Sequence, residues 1–389
     1  LKGYAAIGHT RYSTSGGDSA CNLQPLTMRS RMGWVAVAHN GNLTNAKELV
    51  DRLEKEGAIF QTTSDTEVVL HVMARCRDMP LPDAVQYAVS QIEGAFSLLV
   101  MNNDYMVAVR DPHGFRPLVV GDVGDGKAFA SETVAFDLMG GTFEREVEPG
   151  EMVVVDLKRK TMTSKQVLKP KPTSKCVFEL IYFARPDSEV FDTPVYNIRK
   201  AMGRRLAQEH PADADIVVPV PDSGVAAAIG YAEELGLPFE MGLIRSHYVG
   251  RTFIQPKQTM RELGVRLKLS AVRSVIEDRR VVVIDDSLVR GTTSKKIIKL
   301  LREGGAKEVH LRVSSPPKIS PCFYGIDTPT RDQLIASNQD VEGICKYIGA
   351  DSLGYLTHEG LTNVVGEGYC GSCFTGEYPT LVPLTVRKR

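Results

Sequence analysis

Two adjacent carboxylates stand at the end of an apolar run and are followed by a turn rich in hydroxyl groups. The run is residues 281–284, the acids are Asp285 and Asp286, and the turn is residues 287–293. Backbone N–H groups and hydroxyls in such a turn bind anions, phosphate above all. Two neighbouring acids repel a phosphate, so they suit sugar hydroxyls or a divalent cation instead. This combination predicts a site for a phosphorylated sugar.

A buried strand and a helix must position this turn. Four consecutive apolar residues, 281–284, are typical of a strand in a parallel sheet. Beyond the turn, Ile297, Ile298 and Leu301 recur on one helical face until Gly304 ends the pattern. The turn therefore precedes a helix N-terminus, where the helix dipole favours an anion. A solvated connecting loop is the alternative for so short a motif, and the chain lacks the G-x-x-x-x-G-K pattern of a P-loop here.

The segment VVVIDDSLVRGTT, residues 281–293, resembles the signature of the phosphoribosyltransferases that use phosphoribosyl pyrophosphate (PRPP). In that family the acid pair holds the ribose hydroxyls and the turn holds the 5′-phosphate. The resemblance implies that this segment binds PRPP through both its acids and its turn. The implied PRPP-binding residues are Asp285, Asp286, Ser287, Val289, Arg290, Gly291, Thr292 and Thr293.

A second turn of the same kind lies upstream. Residues 216–220 read as a strand, residues 221–224 (PDSG) as a tight turn, and residues 225–235 as a helix of small residues. Two such units predict a doubly wound parallel sheet, whose ligand lies beyond the carboxyl ends of the strands. A purely structural turn is the alternative.

The resemblance assigns this second turn to the pyrophosphate. It implies that Asp222, Ser223 and Gly224 bind the pyrophosphate group of PRPP. It also implies a Mg²⁺ site formed by Ser223 together with Asp285 and Asp286.

Residues 246–268 are rich in Arg, Lys, Gly and Gln and show no clear period. Basic segments of this kind can close over a reaction centre and exclude water, and this one resembles the flexible catalytic loop of the family. Arg251 and Lys257, with Arg261, are expected to neutralise the leaving pyrophosphate. A charged, solvated loop is the alternative.

Three polar clusters mark the N-terminal half: GHTRYSTSG at 8–16, AHNGNLTN at 38–45 and TTSDTE at 62–67. In this order they resemble the glutaminase domain of the amidotransferases whose nucleophile is an N-terminal Cys. The segments RDPHGFRPLVVG and SETVAFD extend the resemblance.

The residue types in these clusters suit glutamine hydrolysis. Arg11 can bind the α-carboxylate of glutamine and Asp65 its α-ammonium group. The Asn40 amide and the Gly41 backbone N–H can form an oxyanion hole. The nucleophilic Cys of the family is missing, because the chain begins with Leu1. We expect a fragment that lacks the first strands, with the Cys upstream; loss of glutamine hydrolysis is the alternative.

Four cysteines form a possible metal site. Cys370 and Cys373 make a C-x-x-C pair, while Cys176 and Cys322 are remote single residues. Four thiolates can hold a 4Fe-4S cluster or a structural zinc. The spacing of one pair and two singles resembles the iron-sulfur branch of the amidotransferases, which implies the cluster.

Composition narrows the remaining function classes. The 389 residues carry equal numbers of basic and acidic side chains, 47 of each, so no general charge attracts nucleic acid or a membrane surface. No apolar run approaches the roughly 18 residues of a membrane span. We expect a cytoplasmic protein, or an organellar one if a transit peptide was removed, and a homo-oligomer.

A Lys- and Pro-rich stretch, residues 165–175, predicts the domain boundary. The predicted parts are a glutaminase sandwich of the N-terminal-nucleophile type over 1–165, incomplete at its N-terminus, a type I phosphoribosyltransferase domain over 176–330, and a C-terminal segment with cluster cysteines over 331–389. Over nearly its whole length the chain resembles the glutamine phosphoribosylpyrophosphate amidotransferases. That family makes 5-phosphoribosylamine, pyrophosphate and glutamate from PRPP and glutamine, the first step of purine synthesis.

Three alternatives stay open at this point. A non-catalytic PRPP-binding regulator would keep the turn at 287–293 but would not need a glutaminase half. An enzyme that uses only free ammonia would follow if the nucleophilic Cys were lost. A sugar-phosphate amidotransferase of the glucosamine type would share the glutaminase half but lack the PRPP signature.

Overall fold

The computed structural model describes residues 3–11, 19–76, 78–246 and 269–382. The first part of the chain builds antiparallel sheets with helices, and the second part builds a parallel sheet between helices. Within the described residues no helix combines the length and the apolar character needed to cross a membrane.

The first part contains nine strands and four helices in the described residues. They are β1 (Leu26–Ser30), β2 (Gly33–Leu43), α1 (Ala46–Lys55), α2 (Thr66–Ala74), α3 (Leu81–Val89), β3 (Gly94–Met101), β4 (Tyr105–Arg110), β5 (Val119–Val123), β6 (Gly126–Ala130), α4 (Val134–Met139), β7 (Thr142–Glu146), β8 (Glu151–Asp156) and β9 (Thr161–Gln166).

A six-stranded antiparallel sheet in the order β1-β2-β3-β4-β8-β9 carries this part, beside a three-stranded sheet in the order β6-β5-β7. Helices α2 and α3 bury apolar faces against the larger sheet, and Val72, Val85 and Leu98 belong to that core. The second half of β2 carries the polar residues His39, Asn40 and Asn42, and the Leu43 N–H at its end donates to Asp65, directly before α2. This mixed α and β architecture with antiparallel sheets agrees with the glutaminase fold predicted for the first part.

The second part contains ten strands and seven helices in the described residues. They are β10 (Lys175–Cys176), β11 (Glu189–Val190), β12 (Thr193–Pro194), α5 (Val195–Glu209), β13 (Ile216–Pro219), α6 (Val225–Leu235), β14 (Leu243–Arg245), β15 (Leu269–Ala271), α7 (Arg273–Ile276), β16 (Arg280–Asp285), α8 (Thr292–Glu303), β17 (Glu308–Val313), α9 (Val341–Ile348), β18 (Ser352–Tyr355), α10 (His358–Val365), β19 (Tyr369–Cys370) and α11 (Ser372–Thr375). A short π-helix, Glu179–Phe183, follows β10.

A four-stranded parallel sheet in the order β13-β16-β17-β18 forms the centre of this part. Successive residues of β16 point to opposite faces: Val282 and Ile284 pack with α5 and α6, while Val281 and Val283 pack with α8 and α9. An apolar strand buried on both faces is what a doubly wound sheet requires. The predicted doubly wound sheet is therefore confirmed.

The helix limits predicted after the two turns agree with the structure, since α6 covers Val225–Leu235 and α8 ends at Glu303, directly before Gly304. Helix α5 begins at Val195, whose backbone N–H donates to the Ser188 carbonyl of the preceding turn. The predicted C-terminal segment also contributes to the parallel sheet, since β18 pairs with β17.

Candidate functional site

One cavity gathers the four residues predicted to bind and hydrolyse glutamine. Arg11, Asn40, Gly41 and Asp65 all line a space of about 230 Å³. They come from three segments that are far apart in sequence, and strand β2 together with the start of α2 brings them to one place. The cavity is therefore the candidate glutamine site.

Gly41 approaches the neighbouring strand so closely that only glycine fits. Its φ is +150°, and a Cβ atom built on it would lie 2.0 Å from the carbonyl oxygen of Ala95 on β3. No side chain fits at that position, so the backbone of β2, with its N–H and C=O groups, itself forms this part of the cavity wall. This close approach fixes where the Gly41 peptide sits.

The Asn40 side chain is held at both ends of its amide. Its Oδ1 accepts a hydrogen bond of 3.2 Å from the Nε–H of Arg116, and its Nδ2 lies 3.5 Å from the Ser131 hydroxyl oxygen, to which it donates. Ser131 also lines the cavity. The amide N–H groups of Asn40 therefore face the side of the cavity.

Asp65 stands immediately before helix α2 and is anchored by the backbone. Its Oδ2 accepts the Leu43 N–H at 2.8 Å and lies 3.8 Å from Nδ1 of His39. His39 is buried and also contacts the Thr66 hydroxyl at 3.1 Å. The carboxylate is thus fixed at the cavity wall while its residue remains partly accessible.

Several cavity residues lie outside the three polar clusters. Glu132, Glu179, Phe183 and Gly325 line the same space, and Glu179 and Phe183 belong to the π-helix of the second part. In the sequence, none of these four residues indicated a role by its type or spacing. The wall of the glutamine cavity is therefore built by both parts of the chain.

The second candidate site lies where β13 and β16 end side by side. Pro219 pairs with Ile284, and the Val220 N–H donates to the Ile284 carbonyl. A Cβ on Gly224 would lie 2.3 Å from that same carbonyl oxygen. The turn at 221–224 therefore packs against the end of β16, as predicted for a ligand that spans both turns, and it contains a cis peptide between Pro221 and Asp222.

The acid pair at the end of β16 is buried. Asp285 and Asp286 are 7% and 5% exposed, and the Asp286 N–H donates to Oδ1 of Asp285 at 2.9 Å. The Ser287 hydroxyl donates to Oδ2 of Asp286 at 2.5 Å. Burial, followed by the repulsion from Asp286, raises the pKa of Asp285 well above its usual range. Two buried acids this close favour a cationic or hydroxyl-rich ligand.

The rest of the turn leads into helix α8. Gly291 caps the helix with φ at +72°, and Thr292 and Thr293 are its exposed first residues. The Val289 carbonyl accepts the Ile335 N–H, and the Arg290 guanidinium donates to the Gln333 side chain at 2.7 Å. These contacts fix the turn that was predicted to hold a phosphate.

The pyrophosphate turn is more open. Ser223 is half-buried, and the exposed Asp222 pairs with Arg245 through an Oδ2 to Nη1 distance of 2.7 Å. Arg251 and Lys257, with the rest of the predicted basic loop from 247 to 268, lie outside the residues that the structure describes.

The predicted thiol ligands come together between the two parts of the chain. Cys176 and Cys370 are directly paired on the parallel strands β10 and β19, and Cys373 follows on α11. The Cys322 sulfur accepts the Tyr324 N–H at 3.3 Å, and electrostatic interactions link Cys322 to the other three. Three separate segments therefore deliver four sulfurs to one region.

Burial has the largest effect on the pKa values of three of these thiols. It raises the pKa of Cys176 to about 12 and that of Cys370 to about 11, and it raises the pKa of Cys373 as well. Lys318 is 3% exposed and its Nζ lies 3.3 Å from the Phe178 ring centroid, with Cys373 and Asp286 as its strongest electrostatic partners. In the described ranges no group of three or more His, Cys, Asp or Glu residues is placed to hold a metal ion.

Each half of the chain matches a known domain family. Residues 9–137 match the glutamine amidotransferase domain family, and residues 194–316 match the phosphoribosyl transferase domain family. The solved glutamine PRPP amidotransferase of B. subtilis, complexed with ADP and GMP, is 50% identical, with a TM-score of 0.90 over 97% of this chain and 84% of that one.

Curated relatives extend over almost the whole chain. The amidophosphoribosyltransferase of Bacillus subtilis is 51% identical over 388 residues, which are 98% of this chain and 81% of that protein. The chloroplastic amidophosphoribosyltransferase 2 of Arabidopsis thaliana is 53% identical over 97% of this chain and 68% of its own length. The enzyme of Methanocaldococcus jannaschii is 46% identical over 98% of this chain and 84% of its own. With these matches and both sites in place, the chain belongs to the amidophosphoribosyltransferase family.

Proposed function

We propose that the protein releases ammonia from glutamine at the Asn40 cavity and transfers it to PRPP at the Asp285 turn. The products are glutamate, pyrophosphate and 5-phosphoribosylamine, as in the first step of purine synthesis. Ammonia forms the new bond to ribose C1, and pyrophosphate leaves with the electrons of the C1–O bond. The observation that carries this proposal is the presence of both sites, each built from segments of its own family pattern, in one chain.

In the glutamine cavity, Arg11 would bind the α-carboxylate and Asp65 the α-ammonium group of the substrate. The Asn40 amide and the Gly41 N–H would stabilise the oxyanion of the tetrahedral intermediate. In this family the nucleophile is an N-terminal Cys, and none of the four residues named here has that role.

At the phosphosugar site, Asp285 and Asp286 would hold the ribose hydroxyls and residues 287–293 the 5′-phosphate. The turn from Asp222 to Gly224 would hold the pyrophosphate, joined by Arg251 and Lys257. The set Ser223, Asp285 and Asp286 fits Mg²⁺ because hydroxyl and carboxylate oxygens are its usual protein ligands. When bound, Mg²⁺ would neutralise the pyrophosphate as it leaves.

Asp286→Asn tests the phosphosugar assignment directly. We expect ammonia-dependent formation of phosphoribosylamine to fall below detection, because the amide cannot replace a carboxylate toward both a hydroxyl group and Mg²⁺. Asp213→Asn is the matched control: Asp213 pairs with Arg280 at the opposite end of β16, and its side chain is 88% exposed. A near-normal rate in Asp286→Asn would overturn the ribose assignment.

The same assay separates the remaining candidates. A PRPP-binding regulator would bind PRPP without forming phosphoribosylamine from either nitrogen source. An enzyme restricted to free ammonia would react with ammonia but not with glutamine. A glucosamine-type amidotransferase does not fit the phosphoribosyl transferase match over 194–316.

The thiols Cys176, Cys322, Cys370 and Cys373 would hold a 4Fe-4S cluster. The support for this proposal is that β10 and β19 pair Cys176 with Cys370 and that electrostatic interactions link all four thiols. A bound cluster would join β10, β19 and the Cys322 segment and would keep the buried thiols deprotonated.

Visible absorption and elemental analysis test the cluster. We expect iron and sulfide in the purified protein and loss of the absorption in Cys373→Ser. Cys345→Ser is the matched control, because Cys345 lies on α9 and its thiol donates to the Ala350 carbonyl, away from the other four. Zinc without iron would overturn the assignment.

The domain limits 1–165, 176–330 and 331–389, a homo-oligomeric state and a cytoplasmic or organellar location are proposed on the family resemblance. Sedimentation of the purified protein tests the oligomer, and binding assays with nucleic acid and lipid vesicles test our expectation that neither is a partner.

A further inference from the structure

Arg116 is a fully buried arginine that no part of the proposed mechanism uses. Its side chain is 0% exposed, and it follows the turn at 111–115 in the first part of the chain. One edge of its guanidinium donates from Nε to Oδ1 of Asn40 at 3.2 Å. An arginine buried this deeply needs anionic or acceptor partners on every side.

The donor character of arginine determines which way the Asn40 amide points. A guanidinium has only donors, so the atom of Asn40 that faces it must be the carbonyl oxygen. The NH₂ group of the amide must then point the other way, toward Ser131 and the cavity. Without the Arg116 contact the amide could rotate and present its oxygen to the developing oxyanion, which would repel it.

Glu179 holds Arg116 from the second part of the chain. The Glu179 Oε1 lies 2.7 Å from Nη2 of Arg116, and both side chains are at most 2% exposed. The Arg116 guanidinium also lies over the Phe183 ring, 5.0 Å from its centroid, so the same π-helix contacts it twice. Glu179 is itself anchored, because its backbone carbonyl accepts from Arg199 on α5.

We propose that Arg116 is the positioning residue of the oxyanion hole, and that Glu179 fixes it from the phosphoribosyltransferase part. Arg116 touches neither substrate nor nucleophile; it acts by keeping the Asn40 amide in the donor orientation. The proposal rests on the glutaminase function proposed above. A side chain of the phosphoribosyltransferase part, Glu179, would thereby control the geometry of the oxyanion hole in the glutaminase part.

Arg116→Met in the full-length protein tests this role. Loss of one oxyanion-hole donor typically lowers kcat by about 10²–10³-fold, and we expect glutamine hydrolysis to lose about 10²-fold in kcat. The KM for glutamine should change less than about threefold, because Arg11 and Asp65 are untouched. Arg116→Lys, which keeps the charge but not the fixed Nε–H, should show an intermediate loss.

Three further variants separate positioning from general damage. Arg116→Met with Glu179→Met removes both charges, so no buried carboxylate is left unpaired, and it should show the same loss in kcat. Arg116→Met in an Asn40→Ala background should cause no additional loss, since Arg116 acts only through Asn40. Arg312→Met is the matched control: Arg312 is also buried but donates to the His210 carbonyl and the Ser352 hydroxyl, and has no hydrogen bond to Arg116 or Asn40.

The outcomes are decisive in either direction. Normal kcat in a folded double variant, additive losses in the Asn40→Ala background, or an equal kcat loss in Arg312→Met would each overturn the positioning role. Ammonia-dependent phosphoribosylamine formation is measured in parallel and should be retained in all these variants. If the unmodified full-length protein itself hydrolyses no glutamine, the proposed glutaminase function fails and not the role of Arg116 within it.

Discussion

The glutamine cavity and the phosphosugar turn organise their polar groups in opposite ways. In the cavity, protein donors from distant segments hold the acceptors: Arg116 holds Asn40, and the Leu43 N–H holds Asp65. At the turn, the acid pair bonds to its own neighbours, as Asp286 does to Asp285 and Ser287. The polar groups of the cavity are thus held by long-range contacts, and the acid pair of the turn by local ones.

This difference matches the charge that each site must handle. The oxyanion in the cavity is a transient charge, and donors fixed in advance stabilise it without reorganisation. The acid pair is instead buried, and burial, followed by the repulsion from Asp286, raises the pKa of Asp285 well above its usual range. Such a pair is relieved by a ligand that brings cations and hydroxyl groups. The cavity therefore holds its amide donor in place before the substrate binds, whereas the acid pair is suited to a ligand that supplies its missing contacts.

The largest effect that tests this comparison is expected at the glycine of the cavity. In Gly41→Ala the added Cβ would lie 2.0 Å from the Ala95 carbonyl oxygen, so β2 must shift away from β3. We expect glutamine-dependent activity to fall by at least about 10²–10³-fold, the loss typical of an oxyanion-hole donor. Ammonia-dependent activity, measured in the same preparation, should stay within about twofold.

Two other glycines calibrate that result. Gly33→Ala is the control, because Gly33 has φ of +81° but open space around its Cβ position. At the phosphosugar turn, a Cβ on Gly291 would meet only the flexible side chains of Ile335 and Tyr347, both at 3.1 Å. Gly291→Ala should therefore lower the free energy of unfolding by about 1–2 kcal/mol, because a non-glycine residue is strained in the left-handed backbone conformation. A larger loss of activity in Gly291→Ala than in Gly41→Ala would reverse the comparison between the two sites.

The contrast also explains what the sequence could predict. The turn at 285–293 was predictable because its groups are contiguous and follow a buried strand, so the local pattern contains the whole arrangement. The convergence of Arg11, Asn40 and Asp65 was predicted only through the family resemblance, since no local period links them. The structure then brings both sets together as expected.

The supporting contacts of the cavity could not be predicted in this way. Arg116 lies 76 residues from Asn40 and Glu179 lies in the other half of the chain, so their meeting depends on how the two parts pack. A buried arginine also contradicts the usual rule that charged residues face solvent. The four cysteines were easier to predict as a set, because cysteine is a rare residue type and two of the four form a C-x-x-C pair.

A pH experiment tests the internal contacts of the glutaminase part. Asp111 is fully buried, and its carboxylate accepts the backbone N–H groups of Phe96, His113 and Phe115 in the turn that leads to Arg116. Burial raises its pKa from 3.8 to about 6, although Arg110 and these hydrogen bonds act in the opposite direction. A raised carboxyl pKa means that the folded state holds its proton to higher pH than the unfolded state does.

The sign of the resulting pH dependence follows directly. The stabilisation from the protonated Asp111 is fully present below about pH 4 and is lost as the pH rises through 6, a change of about 3 kcal/mol for the full shift. The free energy of unfolding of the native protein relative to Asp111→Asn, measured with urea, should therefore fall by that amount between pH 4 and pH 7. A difference that stays constant or grows over this range would show that Asp111 is ionised at its usual pKa.

The smallest effect is expected at the pyrophosphate turn, where the contact between Arg245 and Asp222 is an exposed ion pair with side chains 57% and 67% accessible. Exposed pairs contribute about 0–1 kcal/mol and are screened by salt. Arg245→Gln should therefore change the free energy of unfolding by less than about 1 kcal/mol, and added salt should reduce even that. The KM for PRPP should change only slightly, because Asp222 keeps its place through the Gly224 contact with β16. A large rise in KM would mean that this turn, like the glutamine cavity, depends on a side chain from outside its own segment.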